Sequence, residues 1–174
     1  ERIPRGSSSG SGSSVGANLV TCAIAEESGS SIRGPASAAS AVGIAATVEL
    51  VSRDGMVQIG INTRVGPICR TVQDSAKVLD VIAGYDPKDE MTVLSVGRKP
   101  AQSYASFAAG RRLDGVRIGV VREYMSKKLF SKADEESIDI VERALGDLEV
   151  HSIDSAHEAE MPRDGIKFDS NGHC

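Results

Sequence analysis

Residues 6–12 of this chain read Gly-Ser-Ser-Ser-Gly-Ser-Gly, and residues 28–31 read Ser-Gly-Ser-Ser. The stretch between them, residues 15–25, consists of small and apolar residues, as expected of a buried segment. A flexible linker would not enclose such a segment and repeat its own composition beyond it. We therefore predict a packed helix from about residue 13 to residue 25, with a hydroxyl-rich loop at each end. Serines from the two loops would then meet, as in an active site.

The composition is that of a soluble globular domain. The 174 residues suit one domain, with 40% hydrophobic and 25% charged residues. There are three Phe, three Tyr and no Trp, so an aromatic platform for nucleic-acid bases is not expected. The net charge is −4, and residues 133–174 carry 12 acidic against three basic residues, which leaves only a thinly spread positive excess elsewhere. Nucleic-acid binding through phosphates is not predicted, and no apolar run approaches the roughly 20 residues that span a membrane.

The three cysteines, Cys22, Cys69 and Cys174, are odd in number and lack a Cys-x-x-Cys spacing. This pattern predicts reduced thiols in a cytoplasmic protein rather than disulfides or a zinc site. His173 beside Cys174 supplies two adjacent ligands, which are far fewer than a metal site needs. We therefore predict no bound metal.

The rest of the chain alternates strand-like and helix-like segments, which predicts an α/β fold. The clearest helix runs from Thr71 to Ala83, because Thr71 can cap it, Asp74 follows as in a capping box, and Gly84 can end it. Its predicted apolar stripe comprises Val72, Ala76, Leu79, Ile82 and Ala83. The other predicted elements are extended segments at residues 41–48 and 57–61, a strand at 116–121 and a helix from about 134 to 148. Residues 150–174 are polar and aperiodic, and we expect a poorly ordered tail.

The glycines of residues 6–12 also fit a dinucleotide-binding loop, and Tyr124 and Lys128 have the Tyr-x-x-x-Lys spacing of short-chain dehydrogenases. A dinucleotide-binding loop, however, must follow a β-strand that directs it at the cofactor. Only five polar or structure-breaking residues precede Gly6, so this NAD(P)-binding alternative is disfavoured. A Walker loop fails because no lysine follows the glycines.

A serine hydroxyl becomes a nucleophile only when a neighbouring group takes its proton. The usual base is histidine, but His151, His157 and His173 all lie in the polar tail. A Ser-His-Asp triad is therefore not expected. A serine relay that ends in a lysine base is the obvious substitute.

Several segments together resemble the amidase signature family. The most specific are the two serine-rich loops with the stretch that joins them, from Gly6 to Pro35. The likeness continues through residues 42–44, 51–56, 64–74 and 79–89, and roughly residues 4–149 take part. The resemblance implies a partial amidase-signature-type α/β fold, in which a mixed β-sheet is covered by α-helices.

The resemblance also implies a reaction, the hydrolysis of a carboxylic amide C–N bond by a Ser–cis-Ser–Lys triad through an acyl-enzyme. Ser31 matches the nucleophile, and Ser7 matches the bridging serine, whose preceding peptide bond is cis in the family. The backbone N–H groups of residues 28–31 match the oxyanion hole, which stabilises charge on the carbonyl oxygen. The site residues so assigned are catalytic Ser31 and Ser7, oxyanion-hole Ser28, Gly29 and Ser30, and supporting Arg33 and Ser8.

The chain departs from the family pattern in ways that bear on function. The family's catalytic lysine lies many tens of residues before the bridging serine, whereas only six residues precede Ser7 here. Arg5 and Ser30 stand where glycine is usual, and glycine permits backbone dihedrals that other residues avoid. Glu27 stands where aspartate is usual. The alternative to an amidase is thus a catalytically silent fragment that acts at most as a binding remnant.

The resemblance finally sets the expected organisation and partners. Residues 1–149 are predicted to form the central part of an amidase catalytic domain, and residues 150–174 the tail. The expected partner is a small-molecule amide substrate, with no cofactor, no nucleic acid and no membrane. A cytoplasmic location is predicted, and the sequence is silent on the oligomeric state.

Overall fold

The computed structural model describes residues 3–57, 60–109, 120, 122–129 and 132–147 of the chain. The chain divides into two compact units, Glu1–Arg112 and Leu113–Cys174. Both serine-rich loops belong to the first unit.

The predicted helix at residues 13–25 is wrong, because this stretch forms the end of a helix and then a strand. Helix α1 spans Ser9–Gly16, and strand β1 spans Cys22–Glu27. The chain leaves the helix through Asn18, whose φ of 61° is left-handed, a conformation that asparagine tolerates better than most residues. In the following apolar stretch Ala25 is buried, whereas its neighbour Ile24 is 51% exposed. Such alternation is the pattern of a strand.

Within the described residues the sheet has three antiparallel strands in the order β1-β3-β2. Strand β2 is Val42–Gly43, and strand β3 is Arg64–Cys69. β1 and β3 pair along their whole length, with Cys22 opposite Cys69 at one end and Glu27 opposite Arg64 at the other. Together with the surrounding helices, this sheet confirms the predicted partial α/β fold.

The predicted extended segments agree with the structure only in part. Residues 41–48 form a strand only at β2. The segment 57–61 is not a strand in its described residues, since Val57 and Ile61 are exposed and Ile61 lies in a turn. Its residues 58 and 59 lie outside the described ranges. The pattern did not predict β3, because Pro67 has no N–H for a strand ladder; its carbonyl nevertheless accepts a 3.0 Å hydrogen bond from the Ile44 N–H.

Cys22 and Cys69 form a disulfide between β1 and β3. The two residues lie directly opposite each other in the strand register, and their Cα atoms are 4.4 Å apart. The prediction of reduced thiols is therefore wrong for these two cysteines. They are 47 residues apart in sequence, so only the register of the sheet reveals the pair.

Two apolar clusters form the core of the first unit. The first joins α1 and the sheet to helix α2, Arg33–Ala38, and consists of Val15, Ala25, Ile32, Ala36 and Ile68. The second consists of Ala46, Val51, Val65, Leu79 and Ala83. At Gly66 the backbone of Ile44 passes so close that a Cβ atom would lie 1.8 Å from its carbonyl oxygen, so only glycine fits.

Helix α3, Val72–Ile82, confirms the clearest prediction. The Thr71 hydroxyl accepts a hydrogen bond from the Asp74 N–H (3.0 Å) and donates to the Asp74 carboxylate (2.7 Å). After the helix, Gly84 has a φ of 152°, which glycine adopts readily. The predicted stripe holds except at Val72, which is 58% exposed.

The remaining described elements are short, apart from one helix. A 3₁₀ helix, Glu90–Ser95, and helix α4, Tyr104–Phe107, complete the first unit. In the second unit two 3₁₀ turns, Arg122–Met125 and Lys127–Leu129, precede helix α5, Lys132–Asp147, which confirms the predicted last helix to within two residues at each end. The predicted strand at 116–121, apart from residue 120, and the tail at 150–174 lie outside the described residues. None of the described helices is long and apolar enough to cross a membrane.

Candidate active site

The fold brings the loop before α1 against the loop after β1. The Ser8 N–H donates a 3.3 Å hydrogen bond to the carbonyl of Ser31, so the residue next to Ser7 contacts Ser31 directly. The peptide bond between Gly6 and Ser7 is cis, as the resemblance implies. Among the described residues the hydroxyls of Ser7 and Ser31 make no hydrogen bond. Within that part of the chain, both hydroxyls therefore have their hydrogen-bonding capacity unused.

Other serines of the first cluster bind the backbone of the edge strand β1. The Ser8 hydroxyl donates to the Glu26 carbonyl (3.2 Å) and accepts from the Glu26 N–H (3.4 Å). The Ser11 hydroxyl donates to the Ile24 carbonyl at 3.0 Å. These side chains satisfy backbone groups that an edge strand would otherwise leave unpaired. The Ser8 side chain thus joins the start of α1 to β1.

The Glu27 and Arg33 side chains anchor the second serine loop, residues 28–31, through hydrogen bonds. The Glu27 side chain is 1% exposed, and its Oε2 accepts hydrogen bonds from the N–H groups of Ile32 and Arg33, each at 3.1 Å. Its Oε1 accepts from Arg33 Nε at 2.9 Å. Burial raises the pKa of the Glu27 carboxyl, but the Arg33 and Ile32 hydrogen bonds together outweigh it, so this pKa lies below its usual value. Glutamate therefore anchors the loop at the position where the family usually has aspartate.

The loop itself, residues 28–31, presents backbone N–H groups that donate to nothing among the described residues. Its carbonyls, in contrast, are held. Arg33 Nη2 donates to the Gly29 carbonyl at 2.6 Å, and Asn62 Nδ2 donates to the Ser28 carbonyl at 2.9 Å. A row of free N–H donors with anchored carbonyls is what an oxyanion hole requires.

The two positions where glycine is usual in the family behave differently. Arg5 has a φ of 59° and so adopts a left-handed conformation that favours glycine. Ser30 does not have a positive φ, and its carbonyl accepts the first hydrogen bond into α2, from the Gly34 N–H at 2.7 Å. The absence of glycine therefore has a conformational cost at Arg5 and none of this kind at Ser30.

A buried ion pair joins two of the segments that resemble the family. Arg53 Nε and Nη2 donate to the two carboxylate oxygens of Asp89 at 2.8 and 2.9 Å, and the Arg53 N–H adds a third bond at 2.9 Å. Arg53 is 5% exposed and Asp89 is 8% exposed. The hydrogen bond from the Arg53 side chain lowers the pKa of Asp89 to about 2.

Sequence reasoning assigned no role to several residues around the loop. Glu27 was recognised only as a departure from aspartate, and Asn62 and Thr63 belong to no motif. The only local hint was the separation of six residues between Glu27 and Arg33, across which opposite charges can pair around a tight loop. Within the ranges that the structure describes, no three His, Cys, Asp or Glu side chains are placed to hold a metal ion.

Comparison with known proteins identifies the family. The family model named Amidase matches residues 1–163. A probable amidase of Arabidopsis thaliana is 46% identical over 124 residues, which are 71% of this chain and 24% of the relative. One subunit of the glutamyl-tRNA(Gln) amidotransferase of Desulforapulum autotrophicum is 38% identical over 155 residues, which are 88% of this chain and 31% of the relative. The matched part of the chain thus spans less than a third of the length of each of these relatives.

Solved structures agree with the sequence comparisons. The native peptide amidase from Stenotrophomonas maltophilia superposes with a TM-score of 0.53 at 42% identity, covering 61% of this chain and 21% of that one. The crystal structure of PAM12A gives a TM-score of 0.63 at 36% identity, covering 84% of this chain and 29% of that one. The chain, with its paired serine loops and cis peptide bond, belongs to the amidase signature family.

Proposed function

We propose that this chain carries the nucleophile, the bridging serine and the oxyanion hole of an enzyme that hydrolyses the C–N bond of a carboxylic amide. The observation that supports this most directly is the contact between the two serine loops, made by the Ser8 N–H and the Ser31 carbonyl. It holds Ser7 and Ser31 in neighbouring segments with their hydroxyls unused among the described residues. Because the family acts on amides, we assign acyl transfer to Ser7 and Ser31.

In the proposed mechanism, a neutral lysine takes a proton from the Ser7 hydroxyl while Ser7 takes one from Ser31. The Ser31 oxygen attacks the amide carbon, and the N–H groups of residues 28–31 donate hydrogen bonds to the oxygen as it becomes negative. The amine or ammonia leaves with the relayed proton, and an ester of Ser31 remains. Water then hydrolyses that ester and restores the serine.

The lysine is the one component that this chain does not supply at the family's position. None of its lysines stands before Ser7, and the first in the chain is Lys77. We propose that polypeptide outside the 174 residues provides the base. The competing proposal is a catalytically silent fragment, and it is favoured by the same observation, the missing lysine.

The proposed substrate is a small or aryl carboxamide, in line with relatives that are named as amidases and a peptide amidase. We also propose that residues 1–149 are the central part of the catalytic domain and that residues 150–174 are a tail outside it. No partner other than the substrate is proposed.

The cytoplasmic location also remains a proposal. The cysteine pattern suggested it through reduced thiols, whereas disulfides such as Cys22–Cys69 are rare in the cytosol of mesophiles. Thiol titration of denatured protein taken directly from cells under acid quench would test it. Two thiols that react only after reduction would contradict the cytoplasmic proposal.

The decisive experiment is ammonia release from aliphatic, aryl and peptide amides by the complete polypeptide that contains this chain. We expect turnover, and we expect Ser31→Ala to abolish it while leaving the circular dichroism spectrum unchanged. Ser37→Ala, which changes an exposed serine of α2, serves as the matched control and should retain activity. Retained activity in Ser31→Ala would refute the assignment of the nucleophile.

A further inference from the structure

The segment 60–63 contacts the serine loop from a distant part of the sequence. Asn62 Nδ2 donates to the Ser28 carbonyl at 2.9 Å, and Thr63 Oγ1 lies 2.9 Å from Ser28 Oγ. The Thr63 side chain is 1% exposed, so its hydroxyl is shielded from water. Two successive residues therefore hold both the carbonyl and the side chain of Ser28.

The Thr63 hydroxyl takes part in a series of hydrogen bonds that includes Ser28. The Gly60 N–H can only donate, and it donates to Thr63 Oγ1 at 2.9 Å. The Glu26 carboxylate can only accept, and it accepts from Ser28 Oγ at 3.2 Å. When Ser28 donates to Glu26, the Thr63 hydroxyl donates to Ser28 Oγ. These contacts connect Gly60, Thr63, Ser28 and Glu26 in one series of hydrogen bonds.

The Asn62 contact determines where the next N–H group points. The peptide bond between Ser28 and Gly29 is trans, since the cis bond among the described residues is Gly6–Ser7. In a planar trans peptide the C=O and N–H bonds point in opposite directions. With the Ser28 carbonyl directed at Asn62, the Gly29 N–H must point away from Asn62. This N–H makes no hydrogen bond among the described residues.

From this geometry we propose that Asn62 and Thr63 are positioning residues that orient the Gly29 N–H toward the substrate carbonyl oxygen. The inference rests on the proposed function, because Gly29 matters only if residues 28–31 form an oxyanion hole. Asn62 sets the plane of the Ser28–Gly29 peptide, and Thr63 prevents the Ser28 residue from rotating. Neither side chain needs to touch the substrate.

The orientation is tested on this chain by residual dipolar couplings of backbone N–H groups. Asn62→Ala and Thr63→Val should change the Gly29 coupling while the couplings of α3 stay constant. Thr63→Ser keeps the hydroxyl and should restore the wild-type coupling. The matched controls are Gln73→Ala, for an exposed amide, and Thr92→Val, for a buried threonine hydroxyl outside the loop. An unchanged Gly29 coupling in both test variants overturns the proposal.

The catalytic consequence is tested by kinetics of the complete polypeptide that supplies the base. Loss of one oxyanion donor costs about 10²–10³ in kcat, so misorientation should cost roughly tenfold or more. We expect that loss in kcat for Asn62→Ala and Thr63→Val, with KM changed less than about threefold and activity rescued by Thr63→Ser. A kcat equal to wild type, or an equal loss in Thr92→Val, overturns the positioning role.

The same series separates this inference from the function on which it rests. If Ser31→Ala retains activity, the proposed function fails. If Ser31→Ala is inactive while Asn62→Ala and Thr63→Val keep wild-type kcat, the proposed function stands and only the positioning role fails.

Discussion

At the scale of single residues, serine has different tasks at neighbouring positions. Ser7 and Ser31 keep their hydroxyls free of hydrogen bonds among the described residues, whereas Ser8 and Ser11 bind the backbone of β1. The first cluster therefore covers an edge strand in addition to presenting one hydroxyl. Composition alone cannot separate these tasks, because each depends on where α1 lies against β1.

Arg5 provides a residue-scale prediction about backbone strain. Its φ of 59° costs a non-glycine residue about 1 kcal/mol or more. We expect Arg5→Gly to be more stable than Arg5→Ala by about 1 kcal/mol, because both remove the side chain and only glycine relieves the strain. Urea denaturation of the two variants measures this difference. Equal stabilities would contradict the strain at this position.

At the scale of elements, long-range contacts join segments that are far apart in sequence. Val51 forms an isolated β-bridge with Ala83. Two residues later, Arg53 pairs with Asp89, which directly precedes the 3₁₀ helix Glu90–Ser95. The Cys22–Cys69 disulfide joins the first residue of β1 to the last residue of β3. Both contacts stabilise the first unit, which contains the two serine loops.

The ion pair predicts a pH dependence of folding. The pKa of Asp89 is about 2 in the folded protein against an ordinary 3.8, so folding favours the ionised form. Its contribution, about 2 kcal/mol, is complete above about pH 5 and is lost as the pH falls through 3.8 toward 2. The free energy of unfolding from urea titrations should therefore fall by about 2 kcal/mol less in Asp89→Asn than in wild type over this pH range.

The control for the pH prediction is Asp54→Asn, which removes a more exposed carboxylate paired with Lys88. That variant should keep the wild-type pH dependence, because exposed ion pairs contribute little. If the free energy of unfolding falls equally with pH in Asp89→Asn and in wild type, Asp89 does not titrate in this way.

The disulfide predicts a redox dependence of stability. Closing a loop between residues 47 apart should stabilise the folded chain by about 2–4 kcal/mol. Reduction by dithiothreitol is thus expected to lower the unfolding midpoint of the wild type and to leave that of the double variant Cys22→Ala, Cys69→Ala unchanged. An equal response of the two proteins to reduction would argue against the bond.

At the scale of the whole molecule, the matched part of the chain covers only 24% and 31% of two of its relatives. It contains serine groups and N–H donors for the proposed reaction, while the base is proposed to lie elsewhere. Catalysis would then require residues beyond those that form the first unit.

A whole-molecule prediction follows from the missing base. These 174 residues by themselves should release no ammonia from simple amides above the blank, since none of their lysines stands before Ser7, where the family has its base. Ammonia release by the isolated chain is measured beside its Ser31→Ala variant. Turnover that Ser31→Ala abolishes would show that the lysine is dispensable.

Local motifs, caps and helical periodicity were enough to predict the family, the capped helix α3 and the last helix. The resemblance also identified Ser7 and Ser31, though their catalytic roles remain proposals. Three features became visible only in the folded chain: residues 22–27 form a strand, Cys22 meets Cys69, and the serine loop is held by side chains before and far beyond it (Glu27, Asn62 and Thr63). The disulfide and the contacts of Asn62 and Thr63 depend on the register between β1 and β3. Strand register is set by contacts between distant residues, and no short stretch of sequence records it.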